Sequence, residues 1–67
     1  MITQEQKNRI NELASELRRS LVENEEYSEP QAAETVEALL SNYDEDIKWG
    51  ETGMLERDLK IFIKHGI

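Results

Sequence analysis

The apolar residues of this chain recur at spacings of three and four, and that spacing restricts the fold more than any other feature. In the first third of the sequence the repeat consists of Ile10, Leu13, Ala14, Leu17 and Leu21. At 3.6 residues per turn these side chains form one stripe along a helix. Thr3 followed by Gln6 has the form of a capping box, which marks a helix start. The pattern predicts a first helix over residues 3–22.

A second capping box precedes the next apolar stripe. Ser28 and Gln31 occupy its two positions, and Pro30 falls in the first turn, where its missing N–H costs no hydrogen bond. The apolar residues that keep helical spacing here are Ala32, Ala33, Val36, Leu39, Leu40 and Tyr43. We therefore predict a second helix over residues 29–43, and a loop over residues 42–53, where glycine and alternating charge break the pattern.

The last segment predicts a helix over residues 53–65, with Thr52 as its N-terminal cap and Gly66 at its end. Its apolar positions are Met54, Leu55, Leu59, Ile61, Phe62 and Ile63. The alternation within residues 60–64 also suits a strand, but the chain offers no other strand to pair with it. We expect Ile67 to fold back onto this helix.

Three amphipathic helices with short links favour an all-α fold, a small three-helix bundle in one domain over residues 1–67. A domain of about 60 residues buries only about 60% of the surface of its unfolded chain, so dimerisation is a further expectation. The absence of cysteine fits a cytoplasmic location. No signal peptide or membrane span is expected, since no apolar run is long enough and the N-terminus lacks the required layout.

The charge of the chain is strongly negative and concentrated in its middle. Fifteen acidic and eight basic residues give a net charge of −7, which argues against direct binding to nucleic acid or to an anionic membrane. The second predicted helix has no basic residue, which also argues against a DNA-reading helix. Residues 23–51 contain ten carboxylates and one cation, Lys48. The acidity therefore belongs to the second helix and its two flanking segments.

Glu34 and Glu37 are the most informative carboxylates. They are neighbours at i,i+3 with no cation on their own helix, whereas on the first helix Glu5 has Arg9 one turn away. The first interpretation is a surface that docks on a basic partner, with Trp49 as an aromatic anchor. The predicted partner-binding residues are Glu23, Glu25, Glu26, Glu34, Glu37, Asp44, Glu45, Asp46 and Trp49.

Two alternatives to that interpretation stay open. The acidic face can serve solubility alone, partly neutralised by cations elsewhere in the fold. The cations considered for this role are Arg18, Arg57, Lys60 and Lys64. Trp49 can plug one end of the bundle, and Tyr43 falls on the apolar side of the second helix, where it suits the core.

The third predicted helix has more apolar surface than one stripe requires. Met54 and Ile61 lie on a second arc, with Asp58 and His65 between or beside them. Excess apolar surface on a small bundle is commonly covered by self-association, and a two-fold dimer is the commonest symmetry. These four residues are the predicted dimer interface, in which Asp58 of one copy can meet His65 of the other.

No catalytic, metal or cofactor site is predicted, and we do not expect an enzyme. The run Asp44-Glu45-Asp46 suggests a calcium loop, but the sixth position is Trp49 instead of glycine and the twelfth is Leu55 instead of glutamate. His65 is the only histidine, too few for a transition-metal site, and its place at a helix C-terminus is explained by the helix dipole.

In these properties the chain is similar to small acidic helical proteins that act by occupying a partner. Phage and mobile-element inhibitors of host nucleases, anti-CRISPR proteins and some antitoxins belong to this class. The similarity implies an inhibitor or adaptor that docks on a basic protein surface, such as one that normally holds nucleic acid. The alternatives are a self-associating structural or regulatory bundle, and an antitoxin-like partner of a basic toxin.

Overall fold

The computed structural model describes residues 1–66, and every regular element in that range is an α-helix. In chain order these are α1 (Gln4–Asn24), α2 (Glu29–Ser41), α3 (Asp44–Trp49) and α4 (Gly53–His65). The all-α prediction is confirmed, and residues 60–65 are helical instead of extended. The expectation for Ile67 lies outside the described residues.

Two capping boxes start the first two helices. The Thr3 hydroxyl accepts a hydrogen bond from the Gln6 backbone N–H at 3.1 Å, and the Gln6 side chain accepts one from the Thr3 N–H at 2.8 Å. Ser28 and Gln31 make the same exchange at 3.2 and 3.0 Å. Each box satisfies two N–H groups that have no partner inside the helix. Both predicted starts are confirmed.

α1 is the axis of the molecule. Its 21 residues span about 31 Å, close to the 36 Å long dimension of the chain, and both α2 and α4 pack along it. α4 begins beside Gln6 and ends with Gly66 against Glu25, so it runs parallel to α1. α2 returns from the end of α1 until Leu40 is level with Asn11, so it runs antiparallel.

The core consists of aliphatic side chains from the three long helices. Its members are Ile10, Ala14, Leu17, Leu21, Ala32, Val36, Leu55 and Leu59. Leu17, Leu55 and Leu59 are completely buried. The spacing of the α1 members is the predicted stripe, with Leu13 half-buried at its edge. The core is small because the two shorter partners each bury only two residues fully.

The predicted loop over residues 42–53 is wrong in its central part, because residues 44–49 form α3. α2 accordingly ends at Ser41 instead of residue 43, and Tyr43 precedes α3. Three consecutive carboxylates fill the first turn of α3, where the positive end of the helix dipole favours negative charge. Ile47 is half-buried against the core. Together these features convert a segment with weak helical periodicity into a helix of less than two turns.

Thr52 stands at the N-terminal cap of α4 but does not cap it as predicted. Its backbone has φ −95° and ψ 4°, whereas a capping side chain needs an extended residue. The Thr52 hydroxyl instead donates to the Glu56 carboxylate at 2.8 Å and accepts from Gln6 Nε2 at 3.3 Å. Thr52 is buried, so these bonds satisfy a polar group inside the structure.

Gly50 ends α3 in a conformation that needs glycine. Its φ is +74°, and a Cβ atom there would lie 2.7 Å from the Met1 carbonyl oxygen. We expect Gly50→Ala to lower the free energy of unfolding by about 1–2 kcal/mol from backbone strain alone. Gly53→Ala is the matched control, because a Cβ at Gly53 meets nothing within 4 Å. Urea denaturation followed by circular dichroism measures both, and equal effects would contradict this account.

Candidate functional site

The predicted partner-binding residues do not form one patch. Glu23 lies near the C-terminal end of α1, at one pole of the molecule. Asp44 lies at the start of α3, at the opposite pole and close to the N-terminus of the chain. Glu34 and Glu37 lie between the poles on α2. All the predicted residues are exposed except Glu25 and Asp46, which are half-buried. The carboxylates are therefore distributed along the 36 Å length of the chain.

The α2 acidic face consists of Glu34 and Glu37. Both side chains are exposed, and Ala38 and Ser41 beside them are exposed as well, while Val36 is buried on the other side of the helix. No cation lies on α2. Within residues 1–66 neither glutamate makes an ion pair, although Arg18 of α1 lines the same groove as Glu37.

The turn after α1 is strained at Glu26. Its φ of +59° is the only positive value at a non-glycine residue in the described part of the chain. The turn is held by the N–H groups of Glu25 and Tyr27, which both donate to the Leu21 carbonyl at 3.1 Å. A left-handed L-residue costs about 1–2 kcal/mol, and strain of this kind concentrates at functional sites. This turn therefore presents an exposed carboxylate at a cost in backbone energy.

Trp49 is 62% exposed, so it does not plug the end of the bundle. The Lys48 ammonium lies 5.5 Å from the centre of its ring, a cation–π distance. The Trp49 carbonyl accepts a hydrogen bond from the N-terminal ammonium at 3.4 Å. A large aromatic side chain is thus held at the surface, next to the three carboxylates of α3, which is the placement that an interface anchor requires.

The carboxylates of α4 have partners, in contrast to those of α2. The Arg9 Nε donates to Glu56 Oε1 at 2.7 Å, linking α1 to α4. This hydrogen bond, followed by the one from Thr52, lowers the pKa of Glu56 below its usual range. Gln6 adds a third link by donating to the Gly50 carbonyl at 2.7 Å. This polar network fixes the start of α4 on α1.

Asp58, predicted to meet His65 of another copy, is engaged inside its own chain. It accepts a hydrogen bond from the Tyr43 hydroxyl and lies 3.7 Å from the Arg57 guanidinium. The bond to Asp58, together with burial, raises the pKa of Tyr43. Tyr43 is half-buried against the core, although it lies beyond α2. His65 remains exposed at the end of α4.

α4 exposes two large apolar side chains. Met54 is 57% exposed and Ile61 is 44% exposed, and they lie two turns apart on one side of the helix. Leu55 and Leu59 on the neighbouring side are completely buried. The second apolar arc predicted for this helix is thus on the surface of the monomer. It forms the other candidate interface of the molecule.

A shallow groove of about 620 Å³ runs between α1 and α2. The groove is lined by the apolar side chains of Val22 and Ala33. The charged residues Arg18, Arg19 and Glu23 also line it. Sequence reasoning missed this groove, because its two walls come from helices whose relative placement is not encoded in any short stretch of sequence.

In residues 1–66 no three side chains of His, Asp or Glu lie close enough together to hold a metal ion. None of the four helices combines the length and apolar character that crossing a bilayer requires.

Comparison with known proteins found no match to this chain among family models, curated proteins or solved structures. The candidate site is therefore defined by its geometry. Two surfaces stand out, the α2 acidic face and the exposed side of α4.

The lowered pKa of Glu56 predicts a specific loss of stability in acid. Because the folded pKa lies below the unfolded value of about 4.3, the stabilisation is complete above that value. It disappears as pH falls through the lower folded value. We expect the melting temperature of the natural chain to exceed that of Glu56→Gln at pH 7, and the difference to shrink towards pH 3. Thermal melts across this range measure it.

Glu12→Gln is the control for the loss of one surface carboxylate, since Glu12 is exposed on α1 and makes no ion pair within residues 1–66. We expect no comparable change with pH for this variant. A difference between the natural chain and Glu56→Gln that stays constant from pH 7 to pH 3 would show that the Arg9–Glu56 bond does not stabilise the fold.

Proposed function

We propose that this chain is a small acidic protein-binding module that docks the α2 acidic face on a basic surface of a partner, as an inhibitor or adaptor. The observation that carries the proposal is the contrast between helices. Glu34 and Glu37 are exposed side by side and make no ion pair within residues 1–66, while Glu56 and Asp58 on α4 each accept a hydrogen bond from a partner. Like charges at i,i+3 weaken a helix slightly, and a basic partner relieves that repulsion.

Further exposed carboxylates lie towards both poles of the chain. Glu26 is exposed in the strained turn after α1, and Asp44 and Glu45 are exposed at the start of α3. With Glu34 and Glu37, these carboxylates are distributed along the 36 Å length of the chain. B-DNA makes one turn in about 34–36 Å, so a groove that normally holds nucleic acid is a basic surface of matching length. The partner class we propose is a nucleic-acid-binding protein.

Exposed Trp49 can supply apolar binding energy, which charge complementarity alone does not provide. Charge complementarity raises the association rate and selects the partner, whereas buried aromatic anchors provide much of the binding energy. Trp49 lies beside the carboxylates of α3, so one partner surface can contact both. A basic toxin neutralised by this chain would use the same chemistry, and an antitoxin-like role is a variant of the same proposal.

Charge reversal on α2 tests this function. We expect Glu34→Lys with Glu37→Lys to weaken binding of the partner at least tenfold, because attraction becomes repulsion at the interface centre. The matched control is Glu12→Lys with Glu16→Lys, an equal charge change on exposed positions of α1. Tagged chains capture proteins from a lysate of the source cells, and calorimetry with the purified partner then measures the dissociation constant.

The proposal requires a basic protein that the natural chain and the control retain and the α2 variant loses. It also requires that binding weaken as salt rises, since exposed charges are screened over about 10 Å at 0.1 M salt. Equal loss with both variants would mean that only net charge matters. Failure to retain any protein, with circular dichroism showing all chains folded, would leave the acidic face with a role in solubility.

A second candidate function is self-association through α4, favoured by the exposure of Met54 and Ile61. If these side chains are buried between copies, Met54→Glu with Ile61→Glu gives a folded monomer. The control Gln4→Glu with Asn8→Glu adds the same charge at exposed positions of α1. Sedimentation equilibrium distinguishes the forms by mass. A natural chain whose mass does not rise with concentration contradicts this candidate, and so does a folded variant that keeps the dimeric mass.

A further inference from the structure

The groove between α1 and α2 extends beyond its widest part. A smaller stretch of about 350 Å³ adjoins the part described above, and Ser15, Arg18 and Ala33 line both stretches. Along α1 the whole groove reaches from Asn11 to Glu23, which is about 18 Å at the helical rise of 1.5 Å per residue. This length accommodates about three turns of a further helix.

The floor of the groove is apolar and consists largely of small side chains. Ala14, Ala32 and Val36 are buried there, and Ala33 and Leu40 are half-buried. Packed helices lie about 8–10 Å apart, and small side chains at the contact favour the closer distances. Within residues 1–66 only α1 and α2 line the groove, so its outer side is open to large apolar side chains of an incoming helix.

The two walls of the groove carry opposite charge. Arg18 and Arg19 lie on the α1 wall, whereas Glu29 and Glu37 lie on the α2 wall. Glu23, near the end of α1, is the one charged lining residue that departs from this division. All five side chains are exposed, and none of them makes an ion pair within residues 1–66. Both walls are therefore available to charged groups that enter the groove.

Arg18 and Glu37 line the same stretch of the groove from opposite walls without pairing with each other. The Arg18 Nη2 donates a hydrogen bond to Ser15 Oγ at 3.3 Å, one turn away on α1, which holds the guanidinium along its own wall. An occupant with a carboxylate on one edge and a cation on the other is attracted by both walls. An occupant with one sign of charge is repelled by one of them.

An amphipathic helix has the geometry that these walls require. Its apolar stripe, at positions i, i+4, i+7 and i+11, faces the floor, and the residues on the two edges of the stripe point to opposite walls. Acidic residues along one edge then meet Arg18 and Arg19. Basic residues along the other edge meet Glu29 and Glu37. Helix-in-groove docking of this kind is a recurring mode of recognition between proteins.

We propose that the α1–α2 groove holds a short amphipathic helix of the partner protein, about three turns long, with a basic edge on the α2 wall and an acidic edge on the α1 wall. This assignment rests on the proposed function and deepens it, because Glu37 belongs both to the α2 acidic face and to the groove. The basic surface of the partner then includes the basic edge of that helix. Recognition uses both signs of charge, so a uniformly basic helix binds less tightly.

A displayed peptide library tests the groove. Each member is a helix of about 14 residues, or about 21 Å, with leucine at the four stripe positions. The edge positions vary among glutamate, lysine and glutamine, and the immobilised natural chain selects the binders. We expect the enriched helices to be acidic on one edge and basic on the other. Either edge can be the acidic one, because a helix that lies in the groove in the reverse direction exchanges its edges.

An enriched peptide that carries a fluorophore then shows where it binds. In fluorescence polarisation we expect Arg18→Glu and Glu37→Lys each to weaken binding by about tenfold or more, because each change brings like charges together at one wall. The matched controls are Lys64→Glu and Glu12→Lys, which make the same charge changes at exposed positions outside the groove. Binding to the controls stays close to that of the natural chain.

Milder variants keep the test decisive. Arg18→Gln and Glu37→Gln remove one charge without adding repulsion, so they give a smaller loss even if a charge-reversed variant fails to fold. Circular dichroism and thermal melting establish folding for every chain. Raising the salt from about 0.05 M to about 0.5 M weakens the remaining attraction by screening and brings the natural chain closer to these variants.

Four results overturn the inference. They are no enrichment above the unselected library, enrichment of helices that are basic on both edges, undiminished binding to folded Arg18→Glu and Glu37→Lys, and an equal loss in the controls. A natural chain that dimerises, with a monomeric Arg18→Glu variant, would assign the groove to a second copy instead.

The groove and the proposed function fail separately. A basic protein that is lost by Glu34→Lys with Glu37→Lys, but retained in full by Arg18→Glu, removes the groove alone. Peptides that bind the groove, in a chain that captures no basic protein, remove the proposed function alone.

Discussion

Burial of the apolar stripe of α1 is the interaction on which the rest of the structure depends. α2 and α4 each contribute two fully buried residues, and both pack on α1, which contributes four. A buried leucine is worth about 1.5–3 kcal/mol, so Leu17 and Leu21 are among the largest single contributions in a core of this size. The polar network at the start of α4 then fixes its register, because Arg9 and Glu56 join only when both helices are correctly placed.

The long helices could be predicted because their signals are local. The two residues of each capping box are only three positions apart, Thr3 with Gln6 and Ser28 with Gln31. A short stretch of sequence is therefore enough to predict the capping geometry. α3 could not be predicted in the same way. It is six residues long, and it ends at Gly50, which lies against Met1 at the far end of the sequence. A helix this short is stabilised by its tertiary surroundings more than by its own pattern.

The same distinction applies to the candidate site. Exposure of Glu34 and Glu37 follows from helical periodicity, because Val36 and Ala32 mark the buried side of α2. Which carboxylates have partners does not follow. Arg9 has Glu5 one turn away in sequence, yet it bonds Glu56, 47 residues distant. The contrast between paired and unpaired carboxylates, on which the proposed function depends, is therefore a property of the fold that composition conceals.

A net charge of −7 also conceals how the charge is divided between faces. Glu56 bonds Arg9 and Asp58 bonds Tyr43, so the fully exposed charges of α4 are mainly the cations Arg57, Lys60 and Lys64, while α2 has no cation at all. Salt screens the exposed charges of both helices alike. Exposed apolar side chains add a contribution that salt does not screen, and they are Met54 and Ile61 on α4 and Trp49 at the end of α3. The acidic face and these apolar side chains therefore lie on different helices, and a partner surface that uses both of them has to span those helices.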